Sequence, residues 1–141
     1  MQLVNGPVPD GTISELIAKS GKKPGSAAHS LFIGRVAKDM EDGKPNKAVE
    51  YAAVEEMVIY EADKIHKTIL SEFPDVASIE IVHSRGTVPA GETYLCIIVS
   101  APDSQHAIKA CTRAIELIGQ KLPVLRKEIP EIGAGETEVT L

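Results

Sequence analysis

The chain has no tryptophan, only three tyrosines and two phenylalanines among 141 residues. Proteins that hold single-stranded nucleic acid stack its bases on aromatic side chains, so this composition argues against that class. The charge balance argues the same way. Twenty acidic residues against fifteen basic ones leave a net charge of −5, whereas non-specific nucleic-acid binding needs cations to neutralise phosphates. An anion site here has to be a local cationic pocket in an acidic protein. No apolar run approaches the roughly 18 residues that suggest a membrane span. The N-terminal Met1-Gln2-Leu3-Val4-Asn5-Gly6 lacks the basic and apolar regions of a secretory signal, so a cytoplasmic protein is expected. The two cysteines, Cys96 and Cys111, have no Cys or His at metal-ligand spacing and read as buried reduced thiols. Neither a metal nor a cofactor is expected.

Catalytic motifs are also scarce. There is no P-loop, and Gly133-Ala134-Gly135 is too short and too near the C-terminus for a dinucleotide fingerprint. No serine stands in a nucleophile-elbow context. His29, His66, His83 and His106 are scattered, with no i, i+4 pair. What remains is ordinary globular composition, 43% apolar and 25% charged, which reads as one domain over residues 1–141.

Periodicity places the elements. Gln2 to Asn5 reads as a short strand and Thr12 to Lys19 as a short helix with Ile13, Leu16 and Ile17 on one face. Ala27 to Val36 is a strand, Lys38 to Asn46 a polar loop, and Lys47 to Val54 extended. From Glu55 to Glu72, Val58, Ala62, Ile65 and Ile69 form one apolar stripe, and Pro74 ends the helix. Ala77 to His83 is a strand, Arg85 to Gly91 a loop by its turn-forming residues, and Glu92 to Ser100 the most apolar strand. Asp103 is suited to cap a helix from Ser104 to about Gln120, buried through Ala107, Ile108, Cys111, Ala114, Ile115 and Ile118. Val124 to Ile129 and Glu136 to Leu141 complete the strands. This order predicts an α+β two-layer domain with a mixed, largely antiparallel sheet.

The cations carry the chemistry. Lys121, Arg126 and Lys127 follow the last helix around Pro123, and Arg35 and Lys38 flank the end of a strand. Cations at a helix C-terminus complement its dipole, and all five also fit a reading as surface charges. As a functional set they suit an anion: Arg grips phosphate or carboxylate bidentately, and Lys supplies a mobile charge or a proton. His83, at a strand end with Arg85 just beyond it, is the histidine best placed for a site.

In order and spacing, several segments resemble the large catalytic subunit of molybdopterin synthase, the MoaE family. They are Phe32-Ile33-Gly34-Arg35-Val36, Glu50-Tyr51 with Met57, His83-Ser84-Arg85-Gly86, Pro89-Ala90-Gly91-Glu92 and Pro123-Val124-Leu125-Arg126-Lys127-Glu128. The resemblance implies an α/β hammerhead-type fold and a homodimer within a heterotetramer. The implied partner is a ubiquitin-like sulfur carrier, the small subunit. Its thiocarboxylate tail gives up sulfur to a cyclic pyranopterin monophosphate, building the molybdopterin dithiolene. The resemblance departs at the site: the family's active-site lysine falls on Gly119, with Lys121 two positions later. The lysine three residues past the proline is Arg126, with Lys127 beside it, and the arginine after the first strand is Ala37, with Lys38 next to it. The resemblance then implies catalytic roles for Lys121 and Lys127. It implies substrate-binding roles for Arg126, Arg35, Lys38, His83 and Arg85. The alternative is a non-catalytic homologue that binds a ubiquitin-like carrier or another protein.

Overall fold

The computed structural model describes residues 1–40 and 42–131. In chain order they form β1 (Gln2–Asn5), α1 (Asp10–Ser20), β2 (Ala28–Arg35), β3 (Asn46–Ala53), α2 (Glu55–Glu72), β4 (Ser78–Pro89), β5 (Thr93–Ala101), α3 (Ser104–Lys121) and β6 (Val124–Pro130). The expected order of strands and helices holds throughout, and the expected strand over Glu136 to Leu141 lies outside the described residues. The sheet runs β2-β5-β4-β3-β6, with β1 paired to β4 off that path. All neighbours are antiparallel except β1 and β4, so the fold is α+β with a mixed, largely antiparallel sheet.

The loop expected over Arg85 to Gly91 needs correcting. Arg85 to Pro89 is not loop but the second half of β4, a strand of 12 residues. Its first half pairs with β5 through His83, and its second half, from Gly86 to Pro89, pairs with β3. Gly86, at φ 94°, takes the left-handed backbone that only glycine adopts cheaply and turns the strand from one set of partners to the other. A composition rich in Gly and Pro here marks a bend inside a strand.

The two long helices form the second layer. Val58, Ala62, Ile65 and Ile69 of α2 are all buried, as their spacing predicts. On α3 the buried stripe is Ala107, Ala110, Cys111, Ala114, Leu117 and Ile118. Ile108, expected on that face, is 56% exposed. It lies one helical step beyond the edge of the stripe. These helices cover Ile79, Ile81, Ile97 and Val99 of the sheet. Complete burial of a Val or Ile contributes about 1.5–3 kcal/mol each, so this layer is where most of the stability resides. Across the top, Arg113 donates to both carboxylate oxygens of Glu72, at 2.9 and 3.2 Å, and joins α3 to α2. The reverse face is smaller: Val8 and Leu16 cover Val82, Cys96 and Ile98. Cys96 and Cys111 are free and buried, in different cores.

Asp103 caps α3 as expected. One carboxylate oxygen accepts the backbone N–H of His106 at 2.9 Å, and the other lies 2.7 Å from His106 Nδ1. These bonds hold the Asp103 carboxyl below the ordinary carboxylate range. No described helix is long and apolar enough to cross a membrane.

Candidate functional site

Where the end of α3 meets the sheet, a cleft of about 250 Å³ opens between Phe32, Tyr51, His83, Tyr94, Ile118, Gly119 and Arg126, among others. Five different strands and the last helix supply it, which is why no local motif announces it. Its wall is aromatic. The rings of Tyr51 and Tyr94 stack with centroids 5.2 Å apart and planes 14° from parallel. His83 meets both edge-on, at 5.2 and 5.7 Å. Gly34 of β2 makes the stack possible: a Cβ there would come within 2.8 Å of Tyr94 Cε1 and 2.9 Å of Cζ.

The polar groups in this wall are poised by burial. His83 Nδ1 is 2.7 Å from the carbonyl oxygen of Ser84. That oxygen only accepts, so Nδ1 carries the proton and Nε2 is left as an acceptor in the neutral ring. Burial pushes the His83 pKa below its ordinary value, against the backbone bond that favours the charged ring. The Tyr51 hydroxyl is pushed up to about 12, first by burial and then by Tyr94, while the Arg126 guanidinium beside it pulls the other way. Tyr51 and Arg126 face each other in the β3–β6 register. A guanidinium above a low-dielectric aromatic wall is suited to an anionic group carried on an apolar body.

The sequence-derived residues do not all meet here. Arg126 and His83 share the cleft. Lys121 lines a neighbouring depression with Glu56, Met57, Tyr60, Glu61 and Pro123. Lys127 is the next residue along β6, and alternation along a strand turns it away from the face that Arg126 occupies. Arg35 donates from Nη1 to the carbonyl of Gly91 at 3.0 Å, and Lys38 reaches the same turn, its Cε lying 3.4 Å from where a Gly91 Cβ would be. Arg85 Nε lies 3.4 Å from Asn5 Oδ1, on β1. Sequence reasoning gave no role to Tyr94 or Gly34. The available signal was the scarcity of aromatics: a tyrosine inside the most apolar strand has a hydroxyl that must be accommodated.

Beside the cleft mouth lies an apolar surface. Ala52, Ala53, Val54, Met57, Pro123 and Leu125 line it, with Val54 59%, Met57 55% and Leu125 74% exposed.

Comparison with known proteins settles the kinship. The family described as MoaE protein matches residues 9–121. The chain belongs to the MoaE family. It is 39% identical over 108 residues to a molybdopterin synthase catalytic subunit of Drosophila pseudoobscura pseudoobscura, covering 77% of this chain and 30% of that protein. It is 38% identical over 104 residues to one of Dictyostelium discoideum, covering 73% of this chain and 65% of that protein. This MoaE-family chain thus spans about a third of the length of the Drosophila relatives it matches. Among solved structures, a molybdopterin synthase chain of Staphylococcus aureus superposes with a TM-score of 0.78 at 26% identity, over 94% of this chain and 92% of that one. A chain from the complex of subunits 1 and 2 of molybdopterin-converting factor from Helicobacter pylori shares the fold, with a TM-score of 0.77 at 15% identity, over 92% and 84%.

Proposed function

We propose that this MoaE-family chain acts as a molybdopterin synthase catalytic subunit in molybdenum cofactor biosynthesis. In this reading, sulfur passes from the thiocarboxylate tail of a ubiquitin-like carrier to a cyclic pyranopterin monophosphate, giving the dithiolene. The observation that carries it is the family match over residues 9–121 on a chain whose cleft combines Arg126 with the aromatic wall. Sulfur transfer from an acyl group develops negative charge, and a guanidinium at the cleft stabilises such charge. Arg126 is the anchor for the substrate phosphate, and His83 accepts a hydrogen bond from the ring through Nε2. Lys121, in the depression next to Leu122 of the cleft wall, is the amine proposed as proton donor. Among the described residues, nothing in the geometry gives Lys127, Arg35, Lys38 or Arg85 a place in the cleft wall, and they are assigned no step.

The apolar surface of Val54, Met57 and Leu125 beside the cleft supports docking of the carrier subunit, with aliphatic residues flanking the entry of its tail. The 141 residues are proposed to act as one domain, in the cytoplasm, in a homodimer within a heterotetramer.

A second reading is favoured by one observation. The cleft wall at position 119 is a glycine, and Lys121 lines a different depression. A relative that retains carrier docking without turnover fits that arrangement. Incubation with thiocarboxylated carrier and cyclic pyranopterin monophosphate separates the two. Dithiolene product, abolished by Lys121→Ala with carrier binding intact, supports the first. Carrier binding without product supports the second, and absence of carrier binding overturns both.

A further inference from the structure

Gly34 lies against a residue of the cleft wall and Gly119 lines the cleft itself, and they are there for different reasons. Gly34 is demanded by packing, because any Cβ collides with the Tyr94 ring. Gly119 is not. It lies inside α3, its backbone is not in the left-handed region, and a Cβ placed on it meets nothing within 4 Å. Neither fold nor packing requires glycine at this position, and a glycine inside a helix is less stable than alanine. Its one structural effect is the space it leaves. Gly119 lines the same cleft as Arg126, His83 and Tyr51, and every other residue that α3 turns into that cleft, Ile115 and Ile118, is bulky and apolar.

We propose that Gly119 is the specificity-determining position of this cleft: its missing side chain admits the ring body of a planar ligand against α3, with the ligand's single anionic substituent on Arg126. The cleft volume of about 250 Å³ is below the roughly 300–1,000 Å³ of pockets for drug-sized ligands. It suits a small ring system and excludes a nucleotide with a polyphosphate. The apolar lining from Ile118, Leu95 and Phe32 takes the ring, and Nε2 of His83 offers a neutral acceptor on the wall beside the tyrosine hydroxyls. This inference rests on the reading of the cleft as the substrate site, but not on the sulfur chemistry proposed for it.

The test uses phenyl phosphate as the minimal ring-plus-anion probe, titrated calorimetrically into the whole protein. Wild type, Gly119→Ala, Gly119→Leu and Arg126→Ala are compared, with thermal melts as folding controls. Saturable millimolar binding by wild type is expected. It should weaken at least threefold in Gly119→Ala and at least tenfold in Gly119→Leu and Arg126→Ala, while the alanine variant melts at or above the wild-type temperature. No saturable binding by wild type overturns the proposal, as does binding within twofold of wild type in the Gly119 variants. If Gly119→Leu does not fold, Gly119→Ala decides alone. Cyclic pyranopterin monophosphate is titrated in parallel. If it fails to bind while phenyl phosphate follows the expected pattern, the proposed substrate is wrong and the role of Gly119 stands.

Discussion

Adding one methyl group at Gly34 should cost this protein a large part of its stability, and the structure says how. In Gly34→Ala the new Cβ would lie 2.8, 2.9 and 3.0 Å from Cε1, Cζ and the hydroxyl oxygen of Tyr94. Carbon atoms pack best at about 3.5–4.0 Å, so the ring has to retreat by most of an ångström. Its stack resists that movement, because the ring lies on Tyr51 at 5.2 Å, and Tyr51 is itself buried. Overpacking of this kind costs about 1–3 kcal/mol. Disrupting the aromatic pair adds about 0.5–1.5 kcal/mol. A total of roughly 2–4 kcal/mol lowers the melting temperature of a chain this size by roughly 10 °C. Circular dichroism melts measure it, and the near-ultraviolet tyrosine signal should change with it. The decisive control is Tyr94→Leu, which removes the obstructing ring: in that background Gly34→Ala should cost less than about 1 kcal/mol. A Gly34→Ala protein as stable as wild type, or one whose loss is the same in the Tyr94→Leu background, would refute the packing argument.

Three further outcomes concern protons. Tyr51, with its pKa near 12, holds its proton in the folded state while an unfolded tyrosine ionises near 10, so stability is complete below about pH 10 and falls as the pH rises toward 12. Absorbance at 295 nm should resolve one tyrosine titrating in that window, and Tyr51→Phe should remove it. His83, whose pKa burial lowers, leaves the unfolded chain binding more protons below about pH 6.5, so its contribution is complete above that pH and lost as the pH falls. Its imidazole NMR shift should titrate with a midpoint below 6.5; a midpoint above that value contradicts the buried, neutral ring. Asp103 behaves in the same direction at lower pH: its lowered pKa gives stability that is present above about pH 4 and lost as the pH falls through the folded-state value. Asp103→Ala should therefore melt earlier than wild type at pH 7, with the difference closing in strong acid; a constant difference across the titration would leave the cap without an electrostatic part.

The architecture was largely legible because it rests on period. The four-three-four spacing of Val58, Ala62, Ile65 and Ile69 and the unbroken apolar run around Ile97 each admit one reading. The misreadings came where composition outvoted period. Gly86 and Pro89 look like loop residues, yet one bends a strand and the other ends it. The site was harder for a different reason. Arg126 and His83 are 43 positions apart and converge only because β3 links the second half of β4 to β6. The separation of Lys127 from Arg126 was available in principle, since neighbours on a strand face opposite ways, but only once β6 is known to be a strand. No sequence signal distinguishes Gly34, which the packing needs, from Gly119, which it does not.

The bend at Gly86 makes β4 common property of two sets of partners. Residues 78–83 hold β5, and residues 86–89 hold β3, which alone carries β6. The β3–β6 ribbon is joined to the rest of the sheet through the β3–β4 ladder of Ala48 to Tyr51, on the far side of the Gly86 bend from β5. Fraying of the edge that bears Arg126 therefore pulls on the strand that bears His83. That short ladder is the line along which the cleft opens, and amide protons of β3 and β6 should exchange with deuterium together, ahead of those of β5.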